Sequence, residues 1–195
     1  SVAKDIVNVL QNRGIDLNFI LNTHHHQDHV GGNLELKEIY NCKIIGCSDD
    51  QNRIPGIDIK LKDSEEFNIG ESVFKVIDTP GHTIGHICYY FQDQNFLFCG
   101  DTIFSLGCGR LFEGSYEQMT ESILKIRSLP DSTKIFCGHE YTESNAKFAE
   151  FLESENDLLK KKILSIKKDR LESKPTIPAI LEEEKKLNPF MKFDN

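Results

Sequence analysis

Apolar positions along the chain switch between two periods, and the switches mark the elements. Val2, Ile6, Val9 and Leu10 recur at helical spacing on one face and Gly14 ends the run, so a helix is expected over Val2–Arg13. Residues 16–22 then read as a strand running into Thr23-His24-His25-His26. A short helix is expected over Asn33–Tyr40 and a buried strand over Lys43–Cys47. Alternating or continuous apolar runs follow at 57–61, 72–77, Ile87–Phe91 and 96–99, with turns at Asn68-Ile69-Gly70 and Gln92-Asp93-Gln94-Asn95. A helix from Tyr116 to Ser128 is closed by Pro130, and Lys134–Cys137 is a short strand. From Thr142 onward the pattern is helical, interrupted at Pro175 and Pro178 before a last short helix over 180–187. Strands and helices alternate first and helices follow. That order predicts an α/β sandwich over residues 1–141 and a helical segment over 142–195. Lys160-Lys161-Lys162 and Glu182-Glu183-Glu184 are expected to be solvated helix faces.

A chain of 195 residues that is 38% hydrophobic can bury a core of its own. No apolar run approaches the ~20 residues that cross a bilayer, and no secretory leader is visible, so no membrane partner is expected. A net charge of -8 argues against a nucleic-acid partner, because phosphate binding needs a basic surface. The six cysteines contain no Cys-x-x-Cys pair, and four lie in or beside strand-like runs. They are expected to be buried free thiols in a reducing cytoplasm.

The seven histidines carry the chemistry, because they fall in only three short segments. The first is Thr23-His24-His25-His26-Gln27-Asp28-His29. In an extended stretch, residues two apart point to one side, so His24 and His26 can share a metal ion while His25 points away. Asp28 and His29 follow a bend and can reach a second ion, and Gly31-Gly32 lets the chain turn into the next helix. The second segment, Thr79-Pro80-Gly81-His82-Thr83-Ile84-Gly85-His86, places His82 on a turn as a ligand. His86 is read as a supporting or packing residue. Asp101 follows an apolar strand and Gly100; buried alone its charge would be costly, whereas two cations would hold it ionised as a bridge. His139 repeats the strand-glycine-ligand pattern in Phe136-Cys137-Gly138-His139. Five histidines and two aspartates without a thiolate suit zinc, with iron or manganese as alternatives, and seven ligands fit two ions.

These motifs, in this order, resemble the metallo-β-lactamase superfamily, whose fold is an αββα sandwich. Three further stretches resemble its glyoxalase II family: Gly107-Cys108-Gly109-Arg110-Leu111-Phe112-Glu113-Gly114, Gly138-His139-Glu140-Tyr141-Thr142, and Asn188-Pro189-Phe190-Met191. The resemblance implies one metal on His24, His26 and His82, a second on Asp28, His29 and His139, and Asp101 between them. It implies that Arg110 and Tyr141 hold the glutathione portion of a substrate, while Phe112 stands where some members have a tyrosine. The implied reaction is hydrolysis of S-D-lactoylglutathione, or another S-(2-hydroxyacyl)glutathione, in methylglyoxal detoxification. A hydroxide held by two divalent cations would attack, with Asp28 as a possible proton acceptor. The protein is expected to act as a cytoplasmic monomer. The family pattern also implies two strands before the first helix and a basic stretch after Asn188-Pro189-Phe190, neither of which stands in this sequence. The rival expectations are a single-iron persulfide dioxygenase, a nuclease of the same superfamily, and a shortened chain that binds metal without turnover.

Overall fold

The computed structural model describes residues 2–192. Three parallel strands, β1 (Phe19–Leu21), β2 (Lys43–Cys47) and β3 (Ile59–Leu61), form one sheet in that order. A second, mixed sheet contains β4 (Glu66–Ile69), β5 (Ser72–Asp78), β6 (Ile87–Phe91), β7 (Phe96–Gly100), β10 (Lys134–Cys137) and β11 (Ala179–Ile180), in the order β11-β10-β7-β6-β5-β4. A small hairpin, β8 (Ile103–Phe104) with β9 (Gly107–Cys108), lies between β7 and the helix α4 (Tyr116–Arg127).

Alternation along two strands stacks these pieces into layers. In β6, Ile87 and Tyr89 join Phe74 and Val76 against Ile45, Cys47 and Leu61 of the first sheet. The alternate residues Cys88 and Tyr90 face Met119, Ile123 and Ile126 of α4. In β2, Ile45 points between the sheets, whereas Ile44 packs with Val30 and Ile54 on the outer side. Val30 ends the short helix α2 (Gln27–Val30), which precedes α3 (Asn33–Tyr40). The order is therefore helix, sheet, sheet, helix, which is the expected αββα sandwich. Parallel neighbours β7 and β10 require a crossover, and α4 supplies it. Its start is set by a capping box in which Gln118 N donates to Ser115 Oγ and Ser115 N donates to Gln118 Oε1. No helix among the described residues is long and apolar enough to cross a membrane.

Several expectations are corrected in detail. The first strand is only Phe19–Leu21. Asn68 and Ile69 are not a turn but the end of β4, paired with Val73 and Ser72; the reversal falls on Gly70-Glu71, where Gly70 has φ +59°. The helix α1 (Val2–Arg13) buries Ala3 against Gly32, whereas Ile6 and Val9 are exposed; the Val2 side chain lies outside the described part. The C-terminal helical stretch is broken into α5 (Thr142–Leu152) and α6 (Asp157–Leu171), because the Asn156 side chain accepts from Leu158 N and Leu159 N and starts a new helix. Glu184, on α7 (Leu181–Leu187), is not solvated. It is fully buried and accepts from Ser105 Oγ, Leu106 N and Asn188 Nδ2.

Candidate metal centre

Strand direction decides where the motifs meet. β5 and β7 are both antiparallel to β6, and β10 is parallel to β7. β5, β7 and β10 therefore run the same way, and the loops after them emerge at one edge of the sheet. The loop after β1 is tied to the same edge, where Ile87 N donates to Thr23 O. Two glycines permit the close approach. A Cβ on Gly100 would stand 2.3 Å from Thr23 Oγ1, and one on Gly138 would stand 2.4 Å from Asp101 Oδ1. This is the physical content of the strand-glycine-ligand pattern.

The expected side chains converge as two groups linked by a third. His24, His26 and His82 offer nitrogens within 4.8 Å of one another, as do the ligand atoms of Asp28, His29 and His139; His24, His29 and Asp101 form a third such group joining them. His26 Nδ1 lies 3.0 Å from His82 Nε2, and His139 Nε2 lies 3.3 Å from His29 Nε2 and 3.1 Å from Asp28 Oδ2. Asp101 sits between, with Oδ1 3.3 Å from His29 and Oδ2 3.6 Å from His82 and 3.4 Å from His139. Ligands ~2.1 Å from a tetrahedral cation are about 3.4 Å apart, so these separations match the edges of such a shell.

Hydrogen bonds aim the lone pairs. His82 Nδ1 donates to the Arg110 carbonyl at 2.8 Å, which leaves Nε2 unprotonated in the neutral ring. His24 Nδ1 is taken by Thr23 Oγ1, and its fully buried Nε2 has no partner. Asp101 Oδ1 is likewise buried and reached by no donor in hydrogen-bonding geometry. Orphaned acceptors of this kind fit a cation. Burial, followed by the neighbouring imidazoles, holds His24 and His26 below the ordinary histidine range, and burial does the same to His82. These rings are neutral and ready to ligate. Burial also works against a charged His29, but the Asp101 carboxylate and then Asp28 outweigh it and raise its pKa. Asp101 is lowered in turn, because His29, His139 and His82 outweigh its own burial. A cation must displace the His29 proton, so affinity is expected to rise as pH climbs through that raised value. Zinc titrations near pH 6 and near pH 8 with a proton indicator check this; equal affinities and no proton release would contradict it.

His25 stays out of the cluster, and its Nδ1 donates to Asp50 Oδ2 at 3.0 Å. His86 is both a packing and a supporting residue. It is fully buried, stacks on His24, and its Nε2 accepts the Asp101 N–H at 3.1 Å. The acceptor role leaves the proton on Nδ1, shared with Thr79 and Thr102. Burial pushes its pKa down to about 3. His86→Ala strands the Asp101 N–H, and a loss of about 10–100-fold in metal affinity is expected from chelator competition.

The residues expected to meet the substrate line the same cleft, of about 640 Å³. Phe112 covers His26 and His82 edge-on at 5.4 and 5.2 Å. Tyr141 stacks on His139 at 4.9 Å. The Arg110 side chain has no ion pair among the described residues. Gln27, Phe104, Cys108, Ser144 and Asn145 complete the wall; Gln27 and Cys108 stand within the motifs that the sequence offers, while Asn145 carries no signal beyond its place in the first turn of a helix.

Comparison with known proteins places the chain in a family. Residues 7–139 match the family model of the metallo-beta-lactamase superfamily, and residues 140–195 match that of the hydroxyacylglutathione hydrolase C-terminus. The hydroxyacylglutathione hydrolase of Methylococcus capsulatus is 50% identical over 192 residues, covering 98% of this chain and 75% of that protein. The enzyme of the same name from Pelagibacter ubique is 48% identical, covering 98% and 80%. Among solved structures, the BLEG-1 B3 metallo-beta-lactamase superposes with a TM-score of 0.73 at 23% identity, over 97% of this chain and 84% of that one. ETHE1 from Myxococcus xanthus gives 0.70 at 24%, over 95% and 68%. Those two likenesses concern the fold. By both family models and by relatives about half identical along nearly its whole length, the chain belongs to the hydroxyacylglutathione hydrolase family of the metallo-β-lactamase superfamily.

Proposed function

We propose that the protein hydrolyses the thioester of S-(2-hydroxyacyl)glutathione, S-D-lactoylglutathione foremost, to the 2-hydroxy acid and glutathione. The observation that carries the reading is a single cleft. Asp28, His82, Asp101 and His139 share its walls with Arg110, Phe112 and Tyr141. His24, His26 and His82 would hold one divalent cation, Asp28, His29 and His139 another, and Asp101 would bridge them. Nitrogen and oxygen donors without thiolate suit zinc, with iron or manganese compatible. Bound there, the pair would bring the pKa of water toward ~7 and polarise a carbonyl.

The chain's own groups do the rest. Arg110 presents a permanently charged fork to a glutathione carboxylate. Phe112 and Tyr141 flank the two ligand groups and shield the scissile carbonyl from bulk water. Asp28, beside His29 and His139, would accept the proton that the attacking water gives up. The departing thiol has a pKa near ~8.5, so it leaves as thiolate without a dedicated acid. Residues 142–195 act as the substrate-side segment, since α5 brings Ser144 and Asn145 to the cleft. All six cysteines are free, and burial raises the pKa of each, which suits a reducing compartment.

A single-iron dioxygenase would give Asp28 and His139 no task, yet both converge on His29. Elemental analysis paired with thiol release from S-D-lactoylglutathione tests the proposal. About two metal ions per chain and chelator-sensitive thiol release are expected. One iron with oxygen uptake would replace it with the dioxygenase, and two metals without thiol release with a metal-binding chain that does not turn over.

A further inference from the structure

An ionic network outside the ligand cluster ties together the loops that the proposed chemistry uses. Arg53 follows a 3₁₀ turn at Ser48–Asp50. Its Nε donates to Asp50 Oδ1 at 2.8 Å, while Nη1 and Nη2 donate to the two oxygens of Glu113. Asp50 is 2% exposed, and its other oxygen accepts from His25 Nδ1. Glu113 Oε2 also accepts from Ile84 N at 2.8 Å. One guanidinium thus joins the 3₁₀ turn, the first and second histidine loops and the loop that carries Arg110. Gly85 fits this arrangement: a Cβ there would stand 2.4 Å from the Asp50 carboxylate carbon.

What the network holds is the loop beside it. Residues 110–114 are zipped to residues 81–84. His82 Nδ1 donates to Arg110 O, Phe112 N donates to His82 O at 3.2 Å, and Gly114 N donates to Gly81 O at 3.0 Å. The first of these bonds fixes the His82 tautomer, and the same zipper places Arg110 and Phe112. Without Arg53, two carboxylates would face each other with only His25 between them, and the loop would lift. A lysine would supply a point charge but not a fork that reaches both.

We infer that Arg53 is a positioning residue whose fork between Asp50 and Glu113 seats the 107–114 loop on His82, so that the grip on substrate and the aim of the His82 lone pair are set together. The inference rests on the metal-dependent thioesterase reading, but its first readout does not require turnover. Arg53→Lys and Glu113→Gln would be compared with the parent chain, first by Zn²⁺ competition against a chromophoric chelator. KM and kcat on S-D-lactoylglutathione would follow. Glu113→Gln retains an acceptor for Ile84 N, which guards against a simple failure to fold. Both variants are expected to release Zn²⁺ about tenfold more readily and to raise KM by about tenfold, with a smaller change in kcat. Parental Zn²⁺ affinity in both variants, with or without a raised KM, would overturn the inference. So would full recovery in Arg53→Lys. If the parent turns over no glutathione thioester, the Zn²⁺ comparison still decides the seating, and only the proposed reaction falls.

Discussion

Replacing Asp101 by alanine is expected to leave a folded protein that has lost its metal and its thioesterase activity. Among the described residues, Asp101 is the one carboxylate within 3.6 Å of His29, His82 and His139 together. Its backbone N–H stays on His86, so the loop after β7 keeps its anchor. His29 loses the carboxylate that raises its pKa and reverts toward a neutral ring. Supporting residues around a metal typically contribute 10–100-fold to affinity, so loss of the bridge should exceed ~100-fold, with activity falling below about one per cent. Elemental analysis, circular dichroism and thiol release on one preparation check all three parts. Near-normal metal content and rate in Asp101→Ala would refute the bridging role.

Tyr89→Ala should have the largest effect on stability. Tyr89 is fully buried between the sheets and packs edge-on against Phe74 at 5.1 Å. Its hydroxyl donates to Asn22 O at 2.6 Å, two residues before His24. Truncating a buried aromatic costs about 3–5 kcal/mol. For a chain of this size that lowers Tm by roughly 6–20 °C. Tyr89→Phe keeps the packing and strands only the carbonyl, at a cost of about 1–3 kcal/mol. Chemical denaturation of both variants separates the terms. Equal losses would mean that the ring contributes little and the hydroxyl nearly everything.

The residues just described differ in how they could be found. His24, His26, Asp28 and His29 are visible from one short string, because ligand spacing on an extended segment is a local property. Gly100-Asp101 and Gly138-His139 are visible because a strand end, a glycine and a ligand are neighbours in the chain. Apolar periodicity carried the alternation of strands and helices and the family likeness carried the αββα order, and the strands agree with both to within a few residues. Helical periodicity was less reliable at the margins. α1 turned a different face inward because Ala3, not Ile6 or Val9, meets Gly32.

The sequence by itself determined which donor side chains would converge, and in what order along the chain, since donor chemistry and short spacing need no partner to be read. Only the tertiary structure decided that Glu184 is buried, that His86 holds the Asp101 backbone, and that Arg53 and Glu113, 60 residues apart, grip each other beside the ligand loops. Such pairings arise where strand direction and sheet order bring distant segments to one edge. A charged residue in a run of like charges carries no local sign of the partner that it will meet there.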